Sequence, residues 1–231
     1  MTSLKIPLLV VITTASVGCF DVSSGKPAPL LIDDFDSGDA LPTDRHFDQW
    51  RCGKYNPDTT NGCECNYDPM AYHSPPYSIH LTAAIVETEK GRNAGVQLYT
   101  QAVASEDLSH LSQIAFSVML ELPTRPISLD PAVLYLELHC SLAPALGTAP
   151  AEERYVHHPV EYTNAPGWQS FIVALTQKNF SPPNTWKWSE IEGGLPTCLE
   201  RVDGIHFSVN PQLAVGAAGN VDLRLDDIYF Q

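Results

Sequence analysis

Leu134-Tyr135-Leu136-Glu137-Leu138-His139-Cys140 alternates apolar and polar residues without a break. Successive side chains of an extended strand point to opposite faces, so Leu134, Leu136, Leu138 and Cys140 share a buried face and Tyr135, Glu137 and His139 share the other. Residues 114–120 repeat the pattern, with Ile114, Phe116, Val118 and Leu120 against Ala115, Ser117 and Met119. Helical periodicity is hard to find. Further strand-like segments lie at 30–36, 46–55, 77–87, 94–101, 152–163, 168–175, 203–210 and 221–230, and pairs such as Asn61-Gly62, Pro75-Pro76, Pro182-Pro183 and Gly193-Gly194 punctuate them. About ten short strands at this spacing predict an all-β fold, a β-sandwich. The stretch 56–76, which is rich in Pro and holds two Cys, reads as a long surface loop stapled by a disulfide, and 142–151 as a second loop.

The first 18 residues, MTSLKIPLLVVITTASVG, place one cation, Lys5, before an apolar run from Ile6 to Ile12 and end in small residues. That is the outline of a signal peptide. The run falls well short of the roughly 20 apolar residues that a membrane-spanning helix needs. Ser16-Val17-Gly18-Cys19 resembles the bacterial lipobox, in which the Cys after the cleavage point is acylated. The alternative is ordinary cleavage nearby, with Cys19 free or in a disulfide. On the lipobox reading, residues 19–29 are a lipidated Cys and flexible tether, 30–231 are one β domain, and the protein sits in the bacterial cell envelope, touching membrane only through its lipid.

Asp and Glu number 27 against 13 Lys and Arg, and no basic cluster occurs. Phosphate-rich partners are excluded on that ground, both nucleic acid and anionic membrane surfaces. Six Cys, at 19, 52, 63, 65, 140 and 198, with no C-x-x-C pair, indicate disulfides in an oxidising compartment. Spacing favours Cys52 with Cys63 or Cys65, and Cys140 with Cys198.

Alternation also assigns the candidate site. If Val96 and Leu98 face the core, Gln97, Tyr99 and Gln101 face away; if Ile205, Phe207 and Val209 face the core, His206, Ser208 and Asn210 face away. Tyr99, Tyr135, Glu137, His139, His206 and Asn210 are the candidate ligand-binding residues. Aromatic faces stack on sugar C–H groups while polar tips bond hydroxyls. The competing reading is a plain solvated sheet face. Trp50 and Trp168 are assigned to the core, whereas Trp186 and Trp188 after Pro182-Pro183 are either exposed stacking rings or a loop plug.

Catalysis is the minority reading, and no catalytic residue is assigned. Glycoside hydrolysis needs two carboxylates, for which Glu137 with Glu121 or Glu161 is the best available set. The E-x-D-x-x-E, G-x-S-x-G and H-E-x-x-H patterns are absent. His157-His158 beside Pro159 has no ligand spacing around it, so zinc is not supported from sequence.

The domain opens with LLIDDFDSGD (30–39) and closes with VDLRLDDIYFQ (221–231). Between them, in order, come Gly167-Trp168 leading a strand, Phe180 in the next loop, and Val202-Asp203-Gly204-Ile205-His206-Phe207. This set resembles the galactose-binding-like jelly rolls of carbohydrate-binding module family 11 and of the complex I intermediate-associated protein family, whose ends carry I-D-D-F-E and L-D-D-I. The resemblance runs from Leu30 to Gln231. It implies a jelly roll with adjacent first and last strands, and a glycan as ligand or, alternatively, a protein partner gripped by an assembly module. A glycan-cleaving jelly roll is the third class. Acidic ends brought together invite a structural calcium ion, with Asp34, Asp36 and Asp226 as candidate ligands. The alternative is that these Asp residues cap strand ends or pair with Arg224.

Overall fold

The computed structural model describes residues 30–33, 50–54, 60–74, 77–86, 95–122, 133–140, 155–163, 165–182, 187–188, 193–211 and 213–231. Cys19, Asp34, Asp36 and Trp186 lie outside the described residues, as do the expected signal peptide, tether and 142–151 loop. Strands are numbered in chain order. One antiparallel sheet runs β3 (Thr60–Asp68), β4 (Ser78–Val86), β11 (Ala218–Phe230), β6 (Gln113–Glu121), β9 (Gln169–Ala174), with β1 (Leu30–Asp33) also paired to β11. The other runs β2 (Arg51–Lys54), β5 (Val96–Glu106), β10 (Val202–Val209), β7 (Leu134–Cys140), β8 (Tyr155–Val160).

The two sheets form a β-sandwich whose core is built by alternation. Leu98, Phe207, Leu136 and Val156 come from the five-stranded sheet, and Leu81, Leu223, Val118 and Phe116 from the six-stranded one; all are buried. Phe207 meets Phe116 edge-to-face at 4.9 Å between ring centroids, and Trp50 lies 6.5 Å from Phe207. Trp50 is therefore a core residue, as expected. Trp168 is not. It is partly exposed, with its ring edge-on to His73, because it precedes β9 at the sheet margin instead of lying within the strand. Trp188 plugs: it is partly buried against the core and donates its indole N–H to the Phe180 carbonyl.

Two elements differ from the sequence reading. Thr60–Asp68, expected as part of a loop, is the edge strand β3 paired along β4. From 63 to 67, Cys63, Cys65 and Tyr67 are half-buried and Glu64 and Asn66 exposed, so the alternation is present once Cys is counted as apolar. The expected staple is there, as Cys52–Cys63, joining β2 of one sheet to β3 of the other. The second departure is the short helix α1 (Gly194–Leu199). Gly193 and Gly194 both take positive φ to turn the chain into it, and it buries Leu195, Cys198 and Leu199. Cys198 bonds Cys140 at the end of β7, as the spacing predicts.

The first and last strands lie side by side, with Leu30 opposite Phe230 and Leu31 opposite Tyr229. Val221, Leu223 and Leu225 point inward at odd positions, whereas Ile228 and Phe230 do so at even ones. One extra residue must therefore be absorbed, and a bulge between Asp226 and Tyr229 does it, with Asp227 at φ 52°. Asp tolerates that left-handed conformation better than most residues. The bulge leaves Asp226 fully buried. Its Oδ2 accepts the main-chain N–H of His73 (2.8 Å) and Ser74 (2.9 Å), and its Oδ1 that of Asp227 (2.8 Å). Burial pushes the Asp226 carboxyl above its ordinary range, opposed by these same bonds. Asp226→Ala removes the acceptor of three charge-assisted bonds. It is expected to destabilise the fold by about 3 kcal/mol and to collapse amide-exchange protection at His73 and Ser74; unchanged protection there would show that the clamp is not what holds this loop.

Candidate functional site

Strand register sets three rows across the outer face of the five-stranded sheet. The middle row is Arg51, Tyr99, His206, Glu137, His157. To one side runs Gln101, Gly204, His139, Tyr155. To the other runs Gly53, Gln97, Ser208, Tyr135, Pro159. Most of these residues alternate with core positions such as Leu98, Leu136, Leu138, Val156, Ile205 and Phe207, since side chains alternate across a strand.

The rings of the first two rows touch in sequence. Tyr99 lies 5.0 Å from His206, His206 is stacked on His139 at 3.6 Å and 18° between planes, and His139 is stacked on Tyr155 at 5.2 Å. Tyr135 stands edge-on to His157 at 5.7 Å. The polar tips are joined as well. His139 Nε2 is 3.3 Å from Glu137 Oε2, and His206 Nδ1 is 3.3 Å from Gln97 Oε1. Gly53 and Gly204 make room for this layer. A Cβ on Gly53 would come within 3.0 Å of Gln97 Nε2 and 3.2 Å of Tyr99 Cε1, and one on Gly204 within 3.3 Å of His206 Nε2.

The layer is unequally covered. Tyr99, Tyr135 and His139 are half-exposed, while Glu137 and His206 retain only 5% and 8% exposure. Burial, reinforced by the neighbouring His139, pushes the His206 pKa down to about 2, so its imidazole is neutral at physiological pH. Burial lowers His157 too, against the opposing pull of Glu137.

Five of the six candidate residues thus come together: Tyr99, Tyr135, Glu137, His139 and His206. Asn210 lies one residue beyond β10, where its main-chain N–H donates to the Val133 carbonyl. Tyr155 and His157 belong to the face and are not among the ligand-binding candidates of the sequence, where His157 is weighed only for zinc with His158. Their signal is the alternation of Tyr155, His157 and Pro159 with Val156 and Val160 in β8. Among the described residues, Glu137 is the one carboxylate in the three rows. Glu121 ends β6 in the other sheet, and exposed Glu161 follows β8. Of the candidate calcium ligands, only Asp226 is among the described residues.

No family model matches this chain, and no curated protein matches it. Among solved structures, the family 11 carbohydrate-binding module of a cellulosomal cellulase of Clostridium thermocellum superimposes with a TM-score of 0.50 at 12% identity, covering 88% of this chain and 94% of that one. The fold is a β-sandwich jelly roll, shared with that module. Carbohydrate-binding modules described as promiscuous members of the β-sandwich superfamily match with a TM-score of 0.49 and 9% identity over 87% of this chain and 61% of theirs. A family 30 module matches at 0.41 and 10% over 78% and 98%. At such identities the likeness concerns architecture, and any ligand has to be argued from the face itself.

Proposed function

We propose that this chain is a non-catalytic glycan-binding module whose platform is the outer face of the five-stranded sheet. The observation that carries the reading is the convergence of Tyr99, Tyr135 and Tyr155 with Gln97, Glu137, His139 and His206 on one face. Half-exposed rings offer stacking surfaces for sugar C–H groups, and the amide, carboxylate and imidazole tips offer hydrogen bonds to hydroxyls. Export through residues 1–18 and acylation of Cys19 belong to the same proposal, and they present the module at a membrane surface.

Binding is expected to be weak, because stacking and a few wet hydrogen bonds offset only part of the ordering cost. Retention of the purified chain in gels containing polysaccharide, and on a broad glycan array, tests the proposal. Tyr99→Ala and Tyr135→Ala are each expected to lower affinity by about tenfold or more with circular dichroism unchanged, since neither ring is in the core. Glu137→Gln keeps an acceptor oxygen and should keep much of the affinity. No retention on any glycan would defeat the reading in favour of a protein-assembly module, and retention indifferent to both Tyr substitutions would move the platform off this face.

A further inference from the structure

We propose that Glu137, His139 and His206 form a binding site for one divalent transition-metal ion of the zinc class. The inference goes beyond the glycan reading and does not rest on it.

Glu137 and His139 are two residues apart on β7, and strand geometry puts them on one face. The β7–β10 register sets His206 directly across from Glu137. One donor atom from each of the three lies within 4.8 Å of the others. Zinc holds imidazole nitrogen and carboxylate oxygen at about 2.0–2.2 Å, which sets two ligands at a tetrahedral angle about 3.3–3.6 Å apart. The Glu137–His139 pair, at 3.3 Å, already has that spacing. His206 now stacks face to face on His139 at 3.6 Å, so coordination has to open that stack and swing the His206 ring toward the Glu137–His139 pair.

The surroundings suit a metal ligand set. Gln97 Oε1, accepting the Nδ1 proton of His206, leaves Nε2 as a lone pair above Gly204, where no Cβ stands in the way. An outer hydrogen bond that fixes the tautomer of a ligating His is a recurrent feature of metal sites. On the other flank of Glu137, His157 leaves a buried Nδ1 with no hydrogen-bond partner among the described residues. Mixed nitrogen and oxygen donors select zinc, copper or nickel over calcium and magnesium, which want oxygen alone. Three protein ligands leave a fourth position open, as in zinc sites that admit water or a ligand oxygen.

The experiment uses the full chain, stripped with chelator and titrated with zinc chloride, then with cobalt(II) as a spectroscopic stand-in. One equivalent of zinc should bind, and cobalt should develop the visible ligand-field bands of a four-coordinate nitrogen and oxygen site. His139→Ala, His206→Ala and Glu137→Gln should each weaken zinc by a hundredfold or more, and Gln97→Ala by about tenfold. Should a buried-site variant fail to fold, long-range proton–nitrogen spectra of the unaltered protein decide, because zinc must shift the ring nitrogens of His139 and His206. No stoichiometric zinc, folded variants that bind as the parent does, or shifts confined to His73 or His80 beside their own Asp partners would overturn the proposal. Glycan retention measured on the same chelator-stripped chain keeps the two readings apart, since failure to take up zinc with glycan retention intact sinks only this one.

Discussion

Phe207→Ala is expected to lower the free energy of unfolding by about 3–5 kcal/mol, more than any substitution on the platform itself. Phe207 has no exposed surface, and it is flanked in its own sheet by Leu98 and Leu136. Across the sandwich it meets Phe116, which in turn stacks on Phe171 at 5.5 Å. Truncation forfeits the transfer free energy of the ring and leaves a cavity that two hydrogen-bonded sheets cannot collapse to fill. The melting temperature should fall by about 10 °C. Ile172→Ala, at an outward position of β9 that is 66% exposed, is the matched control and should change stability by no more than about 0.5 kcal/mol. Urea unfolding of both variants is the measurement, and a Phe207 effect below about 1 kcal/mol would mean that the sheets repack around the gap.

Phe207 and the platform are two readings of the same strand. Ile205, Phe207 and Val209 face the core because His206 and Ser208 cannot, and that parity was legible from β10 alone. The same holds for β7, where every assignment made from alternation agrees with the structure. What alternation could not supply was the alignment between strands. Tyr99, His206, Glu137 and His157 are neighbours only because β5, β10, β7 and β8, far apart in the chain, pair in one register. A one-residue slip in any pairing would dissolve the row. For that reason the burial of Glu137 and His206 was not foreseeable: it comes from side chains that neighbouring strands lay against them, as Tyr99 and His139 do on His206.

Some of the misses had signals. His157-His158 reads in sequence as one cluster, yet strand neighbours part company. His157 joins the platform beside Glu137, while His158 turns to bond its Nδ1 to the Asn179 carbonyl at 2.7 Å. The change of phase from Leu225 to Ile228 announces the β11 bulge, because no regular strand can bury both. β3 was missed because Cys63 and Cys65 were weighed as disulfide partners and not as apolar strand positions. The helix α1 is six residues long and holds a Pro, too short for any periodicity to show.

The second large effect joins stability to the site. The Cys140–Cys198 disulfide closes a loop of 58 residues, and constraining the unfolded chain over that length is worth about 4 kcal/mol in the chain-entropy account. Cys140→Ser with Cys198→Ser is therefore expected to cost about 2–5 kcal/mol, or about 10 °C in melting temperature. Both sulfurs are buried, so the two hydroxyls add a desolvation cost unless they bond each other. The bridge also anchors the end of β7 one residue beyond His139, and β10 enters the sheet there, with Val202 opposite Cys140 and Gly204 opposite His139. Loosening that corner frees the row in which His139 stacks between His206 and Tyr155. Amide exchange should accordingly rise at His139 and Gly204 well before it rises at Leu134 and Val209, at the far end of the same pairing. Equal protection along β7 and β10 in the double variant would mean that the bridge acts only on the unfolded chain and that the platform is held by its strand pairing alone.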